Sequence, residues 1–125
     1  MKQAKAVKVL TILLALTLFV SNVSADTNSD TAWDPNTSAQ VLTILARDKD
    51  AYVRRGVALN PNTPSHALTI LAKDEDWYVR SGAAWNPNTP PEVLTILARD
   101  ENRYVRSGAA QNPNTPAEVK KSIKY

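Results

Sequence analysis

Chemistry that needs a base can draw on only one histidine, His66. Nucleophilic catalysis requires a hydroxyl or thiol with a base held beside it. His66 falls where the neighbouring segments place Gln40, Glu92 and Glu118, so it reads as a solvated residue in the first turn of a helix. There is no Cys, which excludes disulfides, thiolate nucleophiles and Cys-ligated zinc or iron–sulfur sites. The close acidic pairs Asp48/Asp50 and Asp74/Asp76 suggest a cation at first sight. Neither is followed by the sixth-position Gly and twelfth-position Glu of a calcium loop, so a helix end followed by an N-cap explains them better. With only 3 Gly in the chain, glycine-rich phosphate loops are absent. The sequence therefore predicts no enzyme, no cofactor and no metal.

Other residues are suited to recognition. Arg54, Arg80 and Arg106 recur every 26 residues, as do Tyr52, Tyr78 and Tyr104. Two readings stand: each Arg pairs with a nearby acid such as Asp74 or Asp100 while the Tyr packs between copies, or the ladders form a basic, aromatic strip for an acidic partner. Two further columns differ from copy to copy: Ala51, Trp77, Arg103, and Trp33, Leu59, Trp85, Gln111. A repeated framework dictates its packing residues and leaves others free to vary, and Trp is enriched among binding hot spots. Trp77, Trp85, Arg54, Arg80, Arg106 and Arg103 are the candidate partner-binding residues, unless the Trp side chains fill space between copies.

The elements that carry them repeat. "DPNTSAQV" at Asp34 returns as "NPNTPSHA" at Asn60, "NPNTPPEV" at Asn86 and "NPNTPAEV" at Asn112. A fixed period of this length marks a stack of small units: copies at 34–59, 60–85 and 86–111, with a partial, capping copy at 112–125. The turn ends one helix and starts the next, because each Pro restricts its predecessor and removes a donor. Thr89, Pro90 and Glu92 have the spacing of a capping box, as do Thr115 with Glu118 and, in amide form, Thr37 with Gln40. "VLTILARD" is apolar on nearly every side, as a helix with neighbours on both flanks must be. Asp50, Asp76 and Asn102 then suit the N-caps of a second, shorter helix, "AYVRRGVAL", "WYVRSGAAW" or "RYVRSGAAQ". The short lengths leave room for one helix to be partly 3₁₀. In the last copy Val119 and Ile123 keep the inward pair of Val93 and Leu97. Lys120 and Ser122 replace Leu94 and Ile96, giving the polar outer face of a terminal cap. The first copy has no such replacement, so Trp33 either covers that end or makes a homodimer contact through the N-terminal repeat.

Ahead of the copies, Lys2, Lys5 and Lys8 precede the apolar run Val9 to Val20, and small residues end at Ala25. This is the pattern of a cleavable export signal over 1–25, with the cut after Ala25; residues 26–33 then read as a flexible, polar linker. The run is too short to span a bilayer core comfortably, so no stable membrane insertion is expected after cleavage. The chain's formal charge of +3 equals the charge of the three leader lysines. The remainder is balanced, which removes the electrostatic case for nucleic acid.

The pattern "NPNTPPEVLTILARDENRYVRSGAA" resembles the leucine-rich repeat variant family, whose units carry an Asn-Pro-Asn-Thr-Pro turn, a Leu-containing helix and an Asp-x-x-Val-Arg helix. The resemblance covers 34–125 and implies a right-handed superhelix of alternating α and 3₁₀ helices, with no enzyme activity and no assigned site. The second half of the unit also looks like HEAT and armadillo helices. Together these observations predict an all-α, short right-handed α-solenoid. They predict an exported protein, periplasmic or secreted, that is non-enzymatic and binds a protein partner. The alternative is a structural or self-assembling envelope protein.

Overall fold

The computed structural model describes residues 25–125; the expected leader, except for its last residue, lies outside the described residues. These are all helical, with no strand among them: α1 Ala25–Trp33, α2 Ala39–Leu45, α3 Ala51–Leu59, α4 Ser65–Leu71, α5 Trp77–Trp85, α6 Pro91–Leu97, α7 Arg103–Gln111 and α8 Ala117–Ser122. The odd-numbered helices are the longer ones, and α1, α3, α5 and α7 lie side by side in chain order. The second helix of each copy, expected to be the shorter, has nine residues against seven for the first. Both are α-helical. The 3₁₀ character that the resemblance implies is limited to single tightened turns at helix ends, as where Arg47 N–H bonds Ile44 C=O after α2 and Val93 N–H bonds Pro90 C=O at the start of α6.

The long helices start where the sequence places their caps. Asp50, Asp76 and Asn102 accept from the N–H of Tyr52, Tyr78 and Tyr104 at 2.9, 2.9 and 2.8 Å. The capping boxes do not form. The N-caps of α4, α6 and α8 are Pro64, Pro90 and Pro116, without a side-chain bond, and that of α2 is Ser38. The turn threonines are used elsewhere: Thr63, Thr89 and Thr115 are buried and donate to Val57, Ala83 and Ala109 C=O, all at 2.6 Å. Each adds a second donor to a carbonyl in the last turn of the preceding long helix, which also accepts from the N–H of Asn60, Asn86 or Asn112.

Residues 26–33, expected to be a flexible linker, belong to α1. Its bounds stand 26 residues before those of α3, so Asn28 matches Arg54, Ala32 matches Ala58 and Trp33 matches Leu59. Ala32 is fully buried and Trp33 lies against Gly56 and 5.5 Å from the Tyr52 ring. Thr27 and Thr31 occupy the places of the buried Val53 and Val57. The flank of α3 facing away from α5 is thus covered by a polar helix. Docking against that flank, rather than intrinsic propensity, holds so polar a segment helical.

The core runs through the stack as Leu42, Leu45, Val53, Val57, Leu68, Leu71, Val79, Leu94, Leu97 and Val105. At the other end Ile123 is buried and Val119 packs partly against the core, while Ser122 is exposed. Close approach of the long helices depends on small residues: a Cβ added to Gly82 would stand 2.8 Å from the Ala58 Cβ.

A second set of links runs along the turns. Asn86 Nδ2 donates to Ala58 C=O at 2.7 Å and to Asn60 C=O at 2.9 Å, while its Oδ1 accepts from Asn88 N–H at 2.9 Å. Asn60 reaches back in the same way to Ala32 and Asp34, and Asn112 to Ala84 and Asn86. The second Asn of each turn donates to a Pro carbonyl of the turn before: Asn62 to Pro35 and Asn88 to Pro61, both at 2.6 Å, and Asn114 to Pro87. The turn is therefore a ladder of neutral amides joining successive copies as well as a helix breaker.

Candidate functional site

Three of the candidate arginines face the loops that precede the long helices. Arg54 meets Asp74 through Nε at 2.7 Å and Nη2 at 3.1 Å, while Nη1 donates to Asp48 and Lys49 C=O. Arg80 does the same with Asp100 and the carbonyls of Asp74 and Glu75. These side chains are largely buried, and the two-pronged bond that each guanidinium donates to its carboxylate raises its pKa above the ordinary value. Four of the five N–H groups of each are engaged within the protein. Arg54 and Arg80 are clasps between copies, and a partner would have to break those clasps to use them. Arg106 keeps the Nη1 bonds, to Asp100 and Glu101 C=O, but its Nε goes to Lys124 C=O and no carboxylate pairs with it among the described residues. At the start of the row, Asn28 Nδ2 donates to Asp48 at 2.9 Å, a neutral version of the same clasp.

The other candidates lie on a different face. On each long helix the first, second, fifth and ninth residues fall within about a 100° arc. They are Ala51, Tyr52, Arg55 and Leu59 on α3, Trp77, Tyr78, Ser81 and Trp85 on α5, and Arg103, Tyr104, Ser107 and Gln111 on α7. All but one are exposed or half-exposed; Ser81 lies beneath Arg55. Trp77, Trp85 and Arg103 are in this array. Both Trp side chains pack across copies and remain accessible. Trp77 stacks on Tyr104 with centroids 5.4 Å apart and is 40% exposed; Trp85 lies on Gly108 and is 44% exposed.

Sequence reasoning passed over Arg55. Its guanidinium lies 3.6 Å from the Tyr78 ring centroid, and Nη1 donates to Tyr78 C=O at 2.5 Å and Ser81 Oγ at 2.9 Å. The available signal was an Arg in a column where the other copies carry Ser81 and Ser107. His66 is exposed, with Nε2 3.4 Å from Thr43 Oγ1. Asp48 Oδ1 and Asp74 Oδ1 accept from the N–H of Asp50 and Asp76, so the acidic pairs are helix ends followed by caps. Among the described residues no cluster of His, Cys, Asp or Glu is arranged to hold a metal, and no helix is long and apolar enough to cross a membrane.

A helical repeat protein, whose turns and helices recur in register over the described residues, is the class that these observations define. Residues 52–76, one period running from α3 through α4 to the α5 cap, match the leucine rich repeat variant family model, the family that the sequence resembles. No curated protein and no solved structure matches the chain.

Proposed function

We propose that the protein is an exported, non-enzymatic repeat module, a short solenoid that binds a protein partner through the array on α3, α5 and α7. The observation that carries this reading is the composition of the array. It holds three Tyr, two Trp and two Arg, with Ser and Gln between them, and no Asp, Glu or Lys. Interface cores are enriched in aromatic residues and Arg and depleted in Lys, Glu and Asp, and Tyr with Ser is a combination favoured by binding loops. The packing framework lies beneath these positions, so side chains on them can serve recognition while the stack is held by others. Trp77 and Trp85 are the anchors, each braced on the next copy. Export is supported by the lysines, apolar run and small residues ahead of Ala25, and a cut there would leave Asp26 to Trp33 to form nearly all of α1. Its destination would be the periplasm or the exterior.

The test is affinity capture from the envelope fraction of the exporting cell, comparing the protein with Trp77→Ala/Trp85→Ala, whose helicity is checked by circular dichroism. A partner held by the parent and lost by the folded double variant is the expected result. Retention of the partner by the variant would refute the array as the binding face. Recovery of the protein alone would replace the module with a self-associating envelope protein.

A further inference from the structure

We infer that Arg55 is a receptor for a carboxylate, so that the segment seated on the α3–α5 part of the array is an acidic peptide; this rests on the binding reading above. The inference comes from comparing Arg55 with its neighbours in the same protein. In Arg54 and Arg80, Nη1 is fixed by backbone carbonyls, and the Nε/Nη2 edge receives a carboxylate at 2.7 and 3.1 Å. Arg55 is fixed in an analogous way. Nη1 is held by Tyr78 C=O and Ser81 Oγ, and the guanidinium carbon rests over the Tyr78 ring. Its Nε and Nη2 have no partner among the described residues. No buried side-chain nitrogen or oxygen there lacks a partner, so these N–H groups reach solvent.

Arg55 therefore presents the two-donor fork that matches a carboxylate, already oriented and without its acceptor. Pre-organisation of this kind lowers the ordering cost of binding. The surroundings fit the same ligand. Helices α3, α5 and α7 contain no Asp or Glu to compete for the fork. Exposed Tyr52, Tyr78 and Trp77 would receive apolar side chains beside the acid. Arg103, 5.8 Å from the Tyr104 ring, supplies a second cation on the same array. The fork could also hold phosphate, but a single guanidinium among aromatic rings favours a monoanion on a peptide over a dianion.

The probe is a set of random dodecapeptides displayed on phage and selected on the protein, with the recovered peptides then titrated by fluorescence anisotropy. Expected are peptides with Asp or Glu beside an aromatic or large apolar residue. Arg55→Gln should weaken them about ten- to a hundredfold, as truncating one member of a charge-paired contact does. Amidating the peptide's acid should cost the same, with no further loss when both changes are combined. The peptide-side change keeps the test valid if Arg55→Gln fails to fold. Neutral or basic peptides, an unaltered affinity for Arg55→Gln, or stronger competition by inorganic phosphate than by acetate at equal ionic strength would each overturn the assignment. If Trp77→Ala/Trp85→Ala still abolished binding in those cases, the face would stand and only its chemistry would fall.

Discussion

Asn86→Asp is the sharpest test of what holds the copies together. The change keeps Oδ1, which accepts from Asn88 N–H, and removes both Nδ2 donors. The new oxygen would stand where Nδ2 now lies, 2.7 and 2.9 Å from the carbonyls of Ala58 and Asn60, at a residue only 1% exposed. Two net hydrogen bonds are worth about 1 kcal/mol each, and the Ala58 carbonyl, left without a donor, adds about 1 kcal/mol or more, while Asn60 C=O keeps the Thr63 N–H. The total is about 3 kcal/mol before any repulsion between carboxylate and carbonyl oxygens. That is a large part of the 5–15 kcal/mol typical of a small domain. Against a urea m-value of about 1–3 kcal/mol per molar, the midpoint should fall by about 1–3 M.

The penalty should also depend on pH in a defined direction. Burial against acceptors raises the folded-state pKa of the introduced acid above its unfolded value. The folded state then binds protons more tightly than the unfolded state, so the penalty is fully felt above the folded pKa and eases as pH falls through it. Asn88→Asp is the control. It also loses donors, to Pro61 and Thr63 C=O, but at an exposed site, where water can replace them and about 1 kcal/mol is expected. The assay is urea denaturation followed by far-UV circular dichroism. An Asn86→Asp loss no larger than that of Asn88→Asp would refute the ladder as a stabilising element.

Gly82→Ala places a Cβ 2.8 Å from that of Ala58, with no flexible side chain to yield, and should cost about 1–3 kcal/mol by overpacking; a melting temperature equal to the parent's would contradict the close approach. Asp74→Ala leaves the Arg54 guanidinium without its carboxylate and Asp76 N–H without its acceptor. The expected loss is about 3–5 kcal/mol, and a loss under about 1 kcal/mol by thermal melting would mean that the clasp behaves as an exposed ion pair. On the alkaline side the Arg54 and Arg80 clasps should show no titration at working pH. A raised guanidinium pKa keeps their contribution complete below the unfolded value and removes it only as pH climbs through the folded one. For the recognition face, each Trp→Ala should weaken partner binding by about thirtyfold, the hot-spot scale of 2 kcal/mol, when measured on protein shown by circular dichroism to remain folded, because both rings also pack across copies.

Sequence alone was most legible where one residue's role depends only on its immediate neighbours. The caps at Asp50, Asp76 and Asn102 needed nothing beyond local spacing. The roles that depended on the adjacent copy were harder to see. Thr89 has the local spacing of a capping box, but Ala83 C=O lies within its reach and claims the hydroxyl. Asn86 reads as a turn residue until the carbonyls of the preceding turn are in place to receive its Nδ2. The α1 segment failed for a related reason. Its Asp, Thr and Ser content matches a linker, and only Ala32 and Trp33 keep the pattern of Ala58 and Leu59 or Ala84 and Trp85. Of the array, Trp77, Trp85 and Arg103 were visible as columns that differ between copies. Arg55 was hidden because its significance lies in which of its N–H groups are already engaged.

The Asn ladder also bears on how the protein ages. Asparagine is a chemically fragile residue, since the backbone nitrogen of the following residue can attack the side-chain amide, close a succinimide ring and open it as aspartate. At position 86 that lesion is the substitution analysed above, produced without any change in the gene. Each buried ladder residue, however, is followed by proline: Asn60 by Pro61, Asn86 by Pro87, Asn112 by Pro113. A prolyl nitrogen carries no hydrogen to lose, so the ring cannot close by that route. The outer asparagines, Asn62, Asn88 and Asn114, precede threonine and remain open to attack, and they are the ones whose loss the stack can best withstand. The same proline that shapes the turn thus protects the amide on which the next copy depends.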